Sequence, residues 1–450
     1  SIYFFSVGKY NIFLTLQLKI SSKMTLKAFA FILGLSTYIS FVYFGEWILV
    51  DFFAVGLLVF TVVFFFRYQT WTSETVILLL LLVTYPVLIG IVDTYHDVYP
   101  IYSLKQMGKF ALIIPATLLF YYAFTKTSNF LIYYLFGRVL GSVYNYINPS
   151  IGEDKDLAIG YLSDTYLVSP ILTSVALVFT LLVASRSKLA ALIVLLLFIF
   201  GQVAFLELPR SSYLPYLGLL GLICLSVYIG LRKNVTLDFK QVFFRVGLVI
   251  AATMVLFYSL YVVLAPEGYL GDMQRAKFAA QSQSRFGNSP LGLIGVGRFQ
   301  VFVGFFAFLD SPWIGHGSYN YNAIYIPDAA FFLGISSTQA YEKFAGSGTH
   351  SAAVQGLSSY GFLAGFFWIG IYWAVIQAAV VSTKRFLRGH WSDGFILFTS
   401  VTMMWSLLFS PFLGGNRISL ALLLAYVLAF APRAQQKTVR FMPNRPNGFR

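Results

Sequence analysis

Residues 76–92 read VILLLLLVTYPVLIGIV, a run without a single charged side chain. A segment of about 20 mostly apolar residues is long enough to cross the hydrocarbon core of a bilayer. Twelve such segments recur, at 26–44, 47–66, 75–92, 107–124, 129–147, 165–184, 188–206, 213–231, 242–264, 356–381, 394–411 and 417–431. Inside a bilayer each segment must satisfy its own backbone donors and acceptors, and runs this long and this continuously apolar do so as helices. The predicted fold is therefore all-α, a polytopic membrane protein with about 12 transmembrane helices. Its expected parts are helices 1–9 in residues 1–264, a long loop at 265–349, helices 10–12 in 350–431 and a basic tail at 432–450.

Composition closes off other classes. Only 11% of the 450 residues are charged and 58% are hydrophobic, against roughly 25% charged in an average soluble domain. A single cysteine, Cys224, excludes a disulfide framework and a thiolate-rich metal site. The stretch 1–23 is apolar but interrupted by Lys9, Gln17 and Lys19, and it lacks the small-residue cleavage site of a secretory signal. Met24 is an alternative start, which would make that stretch an upstream extension.

Charge sets the expected orientation. With the amino terminus inside, the inner segments carry 20 basic and 3 acidic residues, whereas the outer ones carry 10 and 13. This is the positive-inside pattern. The net charge of +14 then needs no nucleic acid to explain it.

The outer side holds the candidate chemistry. Residues 265–349 are rich in Phe, Tyr and Gly and poor in charge, unlike a disordered tail, and are expected to fold over the outer mouth of the bundle. Within them, residues 273–298 contain Arg275, Lys277, Arg285 and Arg298 and no acid. A solvated basic loop touching lipid headgroups accounts equally well for the first three. Arg298 opens the run FQVFVGFFAFL, too short to span and suited to an interfacial helix near 299–309. An arginine at a helix start faces the positive end of the dipole, which favours an anion there. Arg210, in the short turn LELPRSSYLP, is a second outer guanidinium; pairing with Glu207 or snorkelling to the interface is its plain alternative. Two guanidiniums at one cavity would offer forked donors to phosphate oxygens.

Four histidines complete the inventory. His390 lies on the expected inner side. His96 sits between Asp93 and Asp97, a set too sparse for a metal site, so interfacial polarity is the better reading. His316, in SPWIGHGSYN, either caps a loop or contacts a glycan or its donor. His350 opens span ten after Gly346-Ser347-Gly348; the side chain with an unperturbed pKa of about 6.5 suits proton transfer near neutrality. There is no phosphate-binding Gly-rich loop ending in Lys-Ser/Thr, no paired-histidine zinc helix and no Gly-x-Ser-x-Gly elbow. Gly361 and Gly365 form a Gly-xxx-Gly pair, which reads as close helix packing.

At these residues the chain resembles the superfamily of bacterial O-antigen polymerases and O-antigen ligases. The elements are Pro209-Arg210-Ser211-Ser212 after span seven, Arg298 heading an aromatic helix, the turn from Asp310-Ser311-Pro312-Trp313-Ile314-Gly315-His316-Gly317, and His350 leading into Tyr360-Gly361-Phe362-Leu363-Ala364-Gly365. The departures are Ser351 where many ligases have Asn, and Ser-Ser after Arg210 where Ser-Arg-Gly is common. The resemblance implies a glycosyltransferase of the inner membrane with its active site facing the periplasm, inverting, without metal or other cofactor. The donor would be a glycan on an isoprenoid diphosphate, held by Arg210 and Arg298, and His350 would position or deprotonate the acceptor hydroxyl. Implied partners are a glycan or lipid A core acceptor, membrane lipid and a chain-length regulator. Polymerisation of repeat units, ligation to another acceptor, and, from a different class, secondary transport or lipid flipping are the readings carried forward.

Overall fold

A computed structural model describes residues 24–43, 45–69, 71–127, 129–147, 164–205, 214–231, 248, 252, 255–256, 258–318, 322–344, 351–410, 412 and 414–435. In chain order these form α1 (Met24–Ser36), β1 (Ser40–Tyr43), β2 (Gly45–Ile48), α2 (Leu49–Gly56), α3 (Leu58–Tyr68), α4 (Ser73–Tyr95), α5 (Pro100–Ala111), α6 (Ile113–Lys126) and α7 (Phe130–Ile147). Then follow α8 (Asp164–Arg186), α9 (Lys188–Phe205), α10 (Leu214–Leu231), α11 (Asp272–Gln281), α12 (Pro290–Gly297) and α13 (Phe299–Asp310). A 3-10 turn at Asn322–Tyr325 leads into α14 (Ile326–Leu333), α15 (Ser337–Phe344), α16 (Ala352–Leu387), α17 (Gly394–Phe409) and α18 (Gly414–Gln435). Most of the segment expected as a span at 242–264 lies outside the described residues.

Among the described residues four stretches are long and apolar enough to cross a membrane: α4, Pro100–Lys126, α16 and Trp391–Phe409. Two bent pairs, α2–α3 at 66° and α12–α13 at 84°, raise the number to six if each is one span. The first expected span ends early. The Ser36 and Thr37 hydroxyls bond back to the carbonyls of Leu33 and Gly34, and the aromatic, β-branched segment that follows forms the antiparallel hairpin β1–β2, pairing Ser40 with Ile48. Phe, Val, Tyr, Trp and Ile fit a strand pair.

The chain divides into two compact units. In the first, residues 1–69 and 115–179, α1 crosses α7 through glycines: a Cβ on Gly34 or Gly137 would come within 2.0 Å of a backbone oxygen of the other helix. Close backbone approach at small residues is how helices pack where lipid removes the hydrophobic drive. Arg138 on α7 donates to the Tyr38 hydroxyl at 2.9 Å.

The second unit, residues 70–114 and 180–450, carries the candidate site. Along α4 the aliphatic residues Ile77, Leu80, Val83, Val87 and Ile91 are exposed, while Thr75, Leu78, Leu82, Tyr85 and Ile89 are buried. A helix whose exposed stripe is aliphatic has lipid as its solvent, the inverse of a water-soluble amphipathic helix. The buried stripe meets α16: the Tyr85 ring stacks on Phe367 at 3.8 Å and meets Phe110 edge-on at 4.8 Å. Trp368 and Phe412 complete this aromatic core.

Candidate functional site

Helix α16 is broken. Gly361 has φ +67° and ψ −161° in its interior, and past it the helix folds back sharply enough for Leu357 to reach Gly365 and for the Trp368 indole to sit against Gly356. The break frees backbone groups, and the turn after α13 takes them up. The His316 N–H donates to the Ser358 carbonyl at 3.1 Å, Gly317 to Ser359 at 2.8 Å, and Phe362 to the Pro312 carbonyl at 2.7 Å. Only glycine fits at Gly361 and Gly315: both have positive φ, and an added Cβ would lie within about 2.4 Å of the facing backbone. The Gly-xxx-Gly pair expected to pack two helices instead permits this break and the turn that fills it.

The same turn is anchored to α4. Asp93, 1% exposed, accepts the Ser318 backbone N–H and the Ser318 hydroxyl, both at 2.6 Å. The single hydroxyl proton of Ser318 is committed to that carboxylate, so Tyr360, 2.5 Å from Ser318 Oγ, donates. Three buried groups from α4, the turn and the broken helix form one chain of hydrogen bonds. No Lys or Arg pairs with Asp93 among the described residues.

On the other side of the turn, His316 Nε2 lies 2.9 Å from the Ala307 carbonyl at the end of α13. A carbonyl only accepts, so Nε2 carries the proton. The Asp310 carboxylate is 3.7 Å from that nitrogen. Tyr325 donates to Asp310 at 2.6 Å and lies 3.2 Å from His316 Nε2. Burial, then the neighbouring Asp310 carboxylate, pushes the Tyr325 phenol up to about 12, so it remains a donor at neutral pH.

Arg298 stands in the 84° bend between α12 and α13, half-buried, and its guanidinium forms no hydrogen bond or ion pair among the described residues. Two polar side chains pack along α12, the helix that ends at Arg298. The Gln281 carboxamide occupies the space that a side chain at Gly297 would take, and Ser284 Oγ faces Gly292. Gln281 Oε1 and Ser284 Oγ are buried without hydrogen-bond partners. The helix expected near 299–309 is present as α13, with Phe299, Val303 and Ala307 in a local core against Ile326, Ala330 and Leu333 of α14.

The other expected site residues are dispersed. Arg275 and Lys277 are exposed on α11. Arg285 is exposed, with its guanidinium 5.4 Å from the Phe331 ring centroid and its N–H on the Leu333 carbonyl. Arg210 and His350 lie outside the described residues. The next residue, Ser351, caps α16 by accepting the Val354 N–H and donates to the Leu407 carbonyl. No cluster of three metal-ligating side chains occurs among the described residues. Sequence reasoning passed over Asp93, Asp310, Ser318, Tyr325 and Tyr360 as site members. The one available signal was an aspartate within the last turn of an apolar helix, expensive in a membrane unless it has work to do.

These features define a predominantly helical membrane protein in which a broken helix, α16, closes on a buried polar turn. The chain matches no family model, and no curated protein is significantly similar to it in sequence.

Proposed function

We propose that the protein is a membrane glycosyltransferase that takes a glycan from an isoprenoid diphosphate and passes it to a hydroxyl acceptor, building polysaccharide repeat units into a polymer. The observation that carries this reading is Arg298: a half-buried guanidinium without a hydrogen bond or ion pair among the described residues, at the meeting point of two short helices, with the Gln281 carboxamide against the preceding Gly297. Its forked donors match a diphosphate, and they would stabilise the charge that develops as the diphosphate leaves. Arg210 is the second expected diphosphate ligand, and His350 the residue that positions or activates the acceptor. Arg275, Lys277 and Arg285, on the exposed face of the same loop, would meet glycan or lipid headgroup. In this reading the chain has 12 spans, both termini in the cytoplasm and its active site at the periplasmic face of a bacterial inner membrane. Transfer to lipid A core or another acceptor uses the same donor chemistry and differs only in what enters opposite it.

The test is transfer by the purified protein in liposomes, with a lipid-diphosphate glycan donor and neither nucleotide nor divalent cation supplied. Lengthening of the donor-borne glycan supports polymerisation, movement to an added lipid A core supports ligation, and no product with either acceptor contradicts the reading.

A second class has its own supporting observation. Discontinuous helices, here at Leu57, Arg298 and Gly361, also build substrate sites in secondary transporters. Uptake of lipid-linked or free glycan without a new glycosidic bond would favour that reading.

A further inference from the structure

His316 is held by four polar groups from three directions. The Ala307 carbonyl at the end of α13 takes its Nε2 proton at 2.9 Å, the Asp310 carboxylate stands 3.7 Å from the same nitrogen, and the Tyr325 hydroxyl lies 3.2 Å away. Its backbone N–H is fixed to Ser358 of the broken helix. The charged or titratable groups around it are Asp310 from α13, Tyr325 from the 3-10 turn, Asp328 of α14 beyond Tyr325, and Asp93 and His96 of α4 beside Gly317. From α16 the Ser358 and Ser359 carbonyls, the Phe362 N–H and the Tyr360 hydroxyl meet the turn, and none of these is charged. A neutral imidazole has one N–H and one lone pair. With Nε2 committed as the donor, the lone pair is on Nδ1, and the side chain is 18% exposed.

We propose that His316 is the proton acceptor of the transfer step, its Nδ1 receiving the proton of the acceptor hydroxyl while Ala307 and Asp310 hold the opposite edge of the ring. This assignment rests on the transferase reading above and leaves His350 to position the acceptor. The oxygen–hydrogen bond of the acceptor breaks and its proton passes to Nδ1. The freed oxygen forms the new bond to the anomeric carbon. The bond from that carbon to the diphosphate oxygen breaks, and its electron pair leaves with the diphosphate. The imidazolium so formed is stabilised by the nearby Asp310 carboxylate, and the ring's partial exposure returns the proton to water. A backbone carbonyl that accepts from one ring nitrogen fixes the tautomer and leaves the other nitrogen free to take a proton, and here Ala307 supplies it.

Two measurements on the full chain in lipid discs test this. Isotope-labelled histidine gives four imidazole signals, that of His316 being the one missing in His316→Gln. The expected result is the Nε2-protonated tautomer in the neutral ring, and an Nδ1-protonated ring would overturn the proposal. His316→Gln can still donate to Ala307, so the turn is retained while the base is removed. Its kcat should fall about 10²–10⁴-fold with the donor KM unchanged and the acidic limb of the kcat profile gone. Asp310→Asn, a milder change away from the buried turn, should lower kcat and keep that limb. Retention of wild-type kcat and of the acidic limb in His316→Gln, with their loss in His350→Gln, would transfer the role to His350 and leave the transferase intact. Absence of transfer in the wild-type protein would remove both readings together.

Discussion

Ser318 gives both of its donors, the backbone N–H and the hydroxyl, to the carboxylate of Asp93, each at 2.6 Å. The two residues are separated by 225 positions in the chain, and their contact fixes the turn that carries His316 to the end of α4. Tyr360 extends the connection to the broken helix. The turn therefore cannot shift without disturbing two of the longest apolar helices.

Removing the Asp93 carboxylate leaves a buried N–H without an acceptor, at a cost of about 1–3 kcal/mol. Asp93→Ala should melt well below wild type in detergent. Asp93→Asn keeps one oxygen for the Ser318 N–H and should fall between the two. The transfer rate should follow the same order as the turn loosens around His316. Equal melting of all three proteins would show that the contact contributes nothing to the fold.

The Tyr325 phenol is raised from 10.0 to about 12, so the folded protein keeps its proton through a range in which an unfolded chain gives it up. Its contribution is complete below about pH 10 and is lost as pH rises towards 12. Melting temperature measured from pH 9 to 12 should fall in this window for the wild type and less steeply for Tyr325→Phe. Parallel curves for the two proteins would show that the raised phenol is not a source of stability.

Much of the architecture was legible from hydropathy. The runs expected at 75–92, 129–147, 188–206 and 394–411 fall on the helices Ser73–Tyr95, Phe130–Ile147, Lys188–Phe205 and Gly394–Phe409, because a helix lets such a run satisfy its own backbone in lipid. The breaks were not legible. The reversal at Gly361 depends on the Trp313–Ile314 backbone packed against it, which no local window contains, and the bend at Leu57 falls inside the expected span 47–66 without a break in its apolarity. Among candidate site residues, Arg298 drew notice by its place before an aromatic run, and that run is the helix α13 that follows it. Asp93 was weighed only with His96 and Asp97, as a set too sparse for a metal, because its partner Ser318 lies 225 positions further along the chain. His316 was recognised, but its tautomer became definable only with the Ala307 carbonyl in place.

Orientation is open to a direct labelling experiment in a Cys224→Ser background, since Cys224 is exposed. Gln283 is exposed in the long loop and Arg388 at the far end of α16. A cysteine at 283 should react with an impermeant thiol reagent in intact spheroplasts, and one at 388 only after permeabilisation. Ser284, although adjacent, is 7% exposed and unsuitable for the experiment. The opposite labelling pattern would invert the topology and move the His316 turn to the cytoplasmic face.

The most direct measurement is release of isoprenoid diphosphate from a lipid-linked glycan donor by the purified protein, compared across wild type, Arg298→Lys and Arg298→Ala. A forked contact to a leaving diphosphate predicts release by the wild type without nucleotide or metal, a loss of about 10²–10³-fold in Arg298→Ala, and little rescue by lysine, whose ammonium is a point charge. Release by Arg298→Ala at the wild-type rate would contradict the account and return Arg298 to an anchoring role at the membrane interface.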